Sequence, residues 1–219
     1  MVQKPLREEK NQNRAMLRPS YSSQLLEQAV DQFSLLPGIG KKSALRMALF
    51  MLKQPKENVK KFAESLVNFK ENIKRCSQCN MISDSEVCPI CSDQRRDKST
   101  ICVVESVRDV LSIENTERYN GLYYVLGGII SPMDGIGPSD LPIAELENRV
   151  KNSDVKEIIL ALSTSMEGET TSFYLYKILS KFTENITTIA RGVAFGDDLE
   201  YTDELTLAKS IENRQPFKK

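Results

Sequence analysis

The sequence predicts an α+β protein built from several modules, and three observations carry that reading. Apolar residues recur at helical spacing from Tyr21 to Ile73; four cysteines then fall in two close pairs; and from Thr100 onward short apolar runs alternate with helical patterns. The last pattern implies an α/β domain with a mainly parallel sheet covered on both faces. With 40% hydrophobic and 27% charged residues, the chain has average soluble composition and can bury a core.

Residues 1–20 carry Lys4, Arg7, Lys10, Arg14 and Arg18 among polar neighbours and read as a flexible basic arm. From Tyr21, the positions Leu25, Leu26, Ala29, Val30 and Phe33 define a first helix, with Ser22 or Ser23 as its N-cap. Pro37-Gly38-Ile39-Gly40 interrupts the pattern, and Ala44, Leu45, Ala48, Leu49 and Leu52 begin a second helix. A third helix starts near Pro55 and carries Val59, Phe62, Ala63, Leu66, Val67 and Ile73 as one apolar stripe. After the cysteines the spacing predicts strands over Thr100–Val104, Leu122–Leu126, Glu157–Leu162 and Ile186–Ala190. Helices are expected over Val107–Asn115, Ile143–Val150, Thr170–Phe182 and Asp203–Glu212.

Three motifs carry chemistry. In Cys76-x2-Cys79 and Cys88-x2-Cys91, separated by eight residues, four thiolates can surround one tetrahedral zinc ion. Such a site leaves no position open for water, so the zinc is structural. Cys102, inside Ile101-Cys102-Val103-Val104, reads as a core residue. The second motif is Leu36-Pro37-Gly38-Ile39-Gly40-Lys41-Lys42-Ser43. Gly38 and Gly40 let the backbone and the free amides of the next helix approach a phosphate, beside the positive charges of Lys41, Lys42 and Arg46. The run resembles a helix-hairpin-helix element and also fits an ordinary helix–helix turn, but Lys53, Lys56, Lys60 and Lys61 nearby favour a polyanion. The third motif is acidic. Glu105 ends the first predicted strand of the sheet and Glu167-Gly168-Glu169 follows the third, placing three carboxylates at one sheet edge, where a hard cation such as Mg2+ could bind. This arrangement resembles a Toprim domain with glutamates where aspartates are usual; the pair Glu167 and Glu169 also fits as favourable charge at a helix N-terminus.

Taken in order, the hairpin, the four-cysteine finger, the Toprim-like domain and the tail Arg191-Gly192-Val193-Ala194-Phe195-Gly196-Asp197-Asp198-Leu199-Glu200-Tyr201 resemble the RecR family over about nine tenths of the chain. Cys91-Ser92-Asp93, Arg95-Arg96-Asp97, Tyr124-Val125-Leu126-Gly127-Gly128 and Ile130-Ser131-Pro132-Met133-Asp134-Gly135-Ile136-Gly137-Pro138 support the resemblance. It implies a homotetrameric ring or clamp on single-stranded, double-stranded or gapped DNA, acting in recombinational repair with RecO and often RecF to help RecA replace single-strand-binding protein. It also implies that Lys42 and Arg46 contact DNA, that the cysteines hold zinc, and that Glu105, Glu167 and Glu169 are the Toprim acids serving partner or DNA engagement without cleavage. Two positions depart from the family: Lys41 stands where proline is frequent, and Asp197 where the tail commonly has a second glycine. The tail is Walker B-like, but no phosphate-cradling loop accompanies it, so ATP hydrolysis is not expected.

The expected organisation is a basic arm over 1–20, a helix-hairpin-helix region over 21–75, a zinc finger over 76–99, a Toprim-like domain over 100–192 and a helical tail over 193–219. Charge follows this division, with 15 Lys+Arg against 7 Asp+Glu in residues 1–75 and 15 against 23 thereafter. The basic third suits a polyanion, and the acidic remainder does not. No apolar run spans a membrane and no secretory signal is visible, so a cytoplasmic, nucleoid-associated protein is expected. A chain without histidine lacks the commonest general base, and no catalytic residue is assigned. Two alternatives remain: a Toprim-type Mg2+-dependent nuclease or nucleotidyl-transfer enzyme, and a zinc-bearing adaptor without DNA affinity of its own.

Overall fold

A computed structural model of the chain describes residues 21, 23–194 and 196–216. The chain divides between Ile73 and Lys74 into two compact units, and the basic arm expected over 1–20 lies outside the described residues.

In the first unit, helices α1 (Gln24–Ser34) and α2 (Lys41–Leu52) pack through Val30, Ala44 and Ala48, ringed by Leu26, Ala29, Phe33, Ile39 and Leu45. Two alanines on the facing side of α2 allow the close approach that this small core needs. Ser23 caps α1 by accepting the Leu26 N–H at 3.4 Å; Ser22 lies outside the described residues. Helix α3 (Lys56–Asn72) starts after Pro55, as the sequence predicts, but none of its residues is buried. Its stripe is formed and left open, with Phe62, Leu66, Val67 and Phe69 between 44% and 58% exposed.

The second unit begins with a two-stranded antiparallel ribbon, β1 (Lys74–Arg75) and β2 (Ile82–Ser83), and the short helix α4 (Pro89–Ser92). A four-stranded, wholly parallel sheet follows, formed by β3 (Asp97–Val104), β4 (Gly121–Val125), β5 (Glu157–Ala161) and β6 (Ile186–Thr188) in the spatial order β4-β3-β5-β6. Alternation along β3 divides the core in two. Ile101 and Val103 join Leu122, Tyr124, Ile158 and Leu160 beneath α6 (Ile143–Lys151) and α7 (Met166–Leu179). Cys102 and Val104 join Tyr123 and Val125 on the other face, beneath Val110 of α5 (Val107–Glu114) and beside Met81 and Ile90 of the cysteine segment. Burial pushes the Cys102 thiol up to about 12. The tail ends in α8 (Glu204–Glu212), capped by Asp203.

Helix α7 begins at Met166, four residues before the periodicity places it, because Ser165 accepts the Gly168 N–H at 3.1 Å and stops the free end. Gly168 permits this start: a Cβ there would stand 2.1 Å from the Ser163 carbonyl oxygen. Strand β6 ends at Thr188, two residues short of expectation.

Candidate metal centre and nucleic-acid interface

Two turns bring Cys76, Cys79, Cys88 and Cys91 together. The Asn80 N–H donates to the Cys76 carbonyl at 2.9 Å and closes the first turn; the Cys91 N–H reaches the Cys88 sulfur at 3.4 Å across the second. The turns are held side by side by the Cys88 N–H, 3.3 Å from the Cys76 sulfur, and by the Cys76 N–H on the Met81 carbonyl at 2.7 Å. All four sulfurs lie within 4.8 Å of one another and are buried, and those of Cys79 and Cys88 are 3.5 Å apart. A tetrahedral ion with metal–sulfur bonds of about 2.3 Å sets its sulfurs about 3.8 Å apart, so the quartet fits a zinc-like ion with little movement. The neighbouring Cys79 and Cys91 thiols hold Cys88 below the ordinary thiol value.

The centre is fastened to the sheet. Strand β4 is an edge strand, and its three outward carbonyls are each taken by a side chain: Gly121 by Arg96 at 3.0 Å, Tyr123 by Arg149 at 2.9 Å and Val125 by Asn80 at 2.7 Å. The outward Val125 N–H donates to the carbonyl of Cys79, a member of the cysteine quartet, at 2.9 Å. Arg149, on α6, also donates to the Gln78 carbonyl at 2.7 Å, and Arg96 pairs with Glu114 of α5. The cysteine segment thus covers an edge that would otherwise offer unpaired backbone groups. Asn80 and Arg149 were not singled out from the sequence. An asparagine following a metal-binding turn is a faint signal for a left-handed residue, and its φ is 60°; nothing local announces Arg149.

At the hairpin, Gly38 has φ 77° and Gly40 is the N-cap of α2, without a side chain to occupy the amides of the first turn. A Cβ at either glycine would meet nothing within 4 Å, so the bend faces open space. Lys41, Lys42 and Arg46 are exposed beside it, and α2 carries no acidic residue. Free amides, a helix N-terminus and three cations together form an anion-facing surface.

The chain leaves β3 toward β4 on one side and returns to β5 on the other, so the sheet has its switch point between the carboxyl ends of β3 and β5. Glu105 follows β3, and Glu167 and Glu169 stand in the first turn of α7, beyond β5. The Glu169 carboxylate is paired with Arg191. Among the described residues, the only group of three or more ligating side chains gathered within 4.8 Å is the cysteine quartet.

Known families match the same segments. The helix-hairpin-helix model of RecR covers residues 26–70, its four-cysteine zinc finger domain 73–93, the Toprim domain 99–190 and the C-terminal model of RecR 192–215. Among curated relatives, "Recombination protein RecR" of Porphyromonas gingivalis is 57% identical over 197 residues, covering 90% of this chain and 95% of its own. The protein of the same name from Flavobacterium johnsoniae is 54% identical over 199 residues, 91% of this chain and 97% of its own. That from Bacteroides thetaiotaomicron is 53% identical over 201 residues, 92% and 98% respectively. The chain belongs to the RecR family of recombination proteins.

Proposed function

We propose that this chain is a non-catalytic DNA clamp of recombinational repair, assembling as a homotetramer in the cytoplasm and acting with RecO and RecF to help load RecA on gapped single-stranded DNA. The observation that carries the reading is the hairpin: Gly38 and Gly40 leave the backbone uncovered where α2 begins, and Lys41, Lys42 and Arg46 add charge at the same end. Such contacts grip phosphates and carry no base readout, which suits a protein that must act at any gap. Zinc would be held by Cys76, Cys79, Cys88 and Cys91 and would supply structure only, keeping the edge of β4 covered. Second copies of the chain are the partners best suited to the open apolar stripe of α3. The acids Glu105, Glu167 and Glu169 fit a role in partner engagement, since Glu169 is already neutralised by Arg191.

The test is a titration of the zinc-loaded chain with short single and double strands. Lys42→Glu combined with Arg46→Glu should abolish binding at moderate salt while the circular dichroism spectrum persists. The parent's affinity should fall with a log–log salt slope near −0.9 for each duplex phosphate neutralised. Full binding by the double variant would remove the hairpin from the interface. Metal-dependent strand cleavage lost in Glu167→Gln would instead favour a Toprim nuclease.

A further inference from the structure

The same helix that opens the hairpin carries a second feature along its length. Lys42, Leu45, Arg46, Leu49, Phe50 and Lys53 line a shallow groove of about 460 Å³. The spacing 42, 46, 50 and 53 keeps these residues on one face of α2 and its C-terminal cap. Phe50 is 60% exposed and Leu49 40%, whereas Ala44 and Ala48 turn the opposite side of the helix into the α1–α2 core. Lys42, Arg46 and Lys53 are in no ion pair among the described residues. An exposed aromatic ring set among unpaired cations matches neither a solvated charged face nor a plain protein contact, because a partner's apolar surface would have to desolvate three positive charges.

We infer that this groove is a subsite for single-stranded DNA, in which a base stacks on Phe50 while the flanking phosphates lie against Lys42, Arg46 and Lys53. The inference rests on the DNA-binding reading and deepens it. Charge selects the polyanion, and the ring selects its form: bases in a duplex are stacked on one another, so only an unpaired strand can offer a base face to a phenyl ring. Leu49 and Leu45 extend the apolar floor beside the ring. A strand leaving the glycine bend along α2 passes from backbone-mediated to side-chain-mediated phosphate contacts, with the ring between Arg46 and Lys53 in sequence.

The experiment measures affinity for a single strand and for the matching duplex, with native mass in the same buffer, using the full zinc-loaded chain. Phe50→Ala should weaken single-strand binding by roughly 5- to 150-fold, the range expected for loss of one stacked base, and leave duplex binding within twofold. Phe50→Tyr should restore it. A 2-aminopurine in the strand should be quenched on binding to the parent and to the Tyr variant, but not to the Ala variant. Single-strand affinity unchanged in Phe50→Ala overturns the subsite. Equal loss on both DNA forms accompanied by a smaller native mass also overturns it, by making Phe50 a contact between copies. Neither result touches the hairpin, whose own contact is read from Gly40→Ala, outside the groove; Lys42→Glu with Arg46→Glu removes charge from both.

Discussion

Two kinds of left-handed residue serve different ends in this chain. Gly38, at φ 77°, is demanded by the backbone, and Gly38→Ala should cost about 1–2 kcal/mol of stability. Gly40 is not: its φ of −81° suits any residue, and a methyl group there meets nothing. Gly40→Ala should therefore unfold like the parent, within about 0.5 kcal/mol, yet bind DNA roughly tenfold more weakly, because the methyl stands where a phosphate would meet the first-turn amides. Unchanged affinity in this variant would assign the contact to the lysine and arginine side chains alone. Asn80 joins both demands in one residue, since its φ is 60° and its Nδ2 donates to the Val125 carbonyl at 2.7 Å. Asn80→Gly keeps the conformation and loses the bond, at about 0.5–1.5 kcal/mol; Asn80→Ala loses both and should cost about 1–2 kcal/mol more. Thermal unfolding of the two zinc-loaded variants separates these contributions, and equal midpoints would show that the turn carries no strain.

At the scale of elements, the zinc segment behaves as a cover for β4 more than as an independent finger. Cys79 and Asn80 are the partners of Val125, so removal of a zinc ion held by the quartet should free both. Arg149→Ala should weaken the same junction from the α6 side by about 1.5–3 kcal/mol, since it abandons the Gln78 and Tyr123 carbonyls together. Zinc release to a coloured chelator should then be at least about tenfold faster, and the released chain should scatter light as exposed β4 edges pair between molecules. Four thiols should become reactive on release while Cys102, buried and raised to about 12, remains silent until the sheet unfolds. Clear solution after complete zinc loss would mean that the edge is guarded by something other than this segment. The cysteine cluster itself was legible in sequence because a pair of close cysteine turns is a local pattern, and of the two serines offered as the cap of α1 it is Ser23 that accepts the Leu26 N–H. The docking was not legible: Asn80 and Val125 are 45 positions apart, and Arg149 and Gln78 are 71. The start of α7 was missed for a related reason, since Ser165 and Gly168 override an apolar periodicity that becomes regular only later in the helix.

At the scale of the whole molecule, α3 carries an apolar stripe in its sequence, and the folded chain buries none of it. A seventeen-residue helix with Phe62, Leu66, Val67 and Phe69 in water costs solubility, unlike the scattered apolar residues of an ordinary surface. The charge division works the same way: on the DNA-binding reading, the basic first part of the chain would face DNA and the acidic remainder would repel it, and a single hairpin would offer few phosphate contacts. Assembly would solve both problems, covering the stripe and placing several hairpins on one DNA. Leu66→Glu tests this directly. At 56% exposure the residue bears little on the fold of one chain, so helicity and bound zinc should match the parent. The native mass should fall, and DNA affinity should drop by roughly a hundredfold as linked binding is lost. The salt slope should shrink in proportion to the number of copies engaged. A variant of unchanged mass that still binds as tightly as the parent would move the interface elsewhere and leave the stripe for another protein to cover.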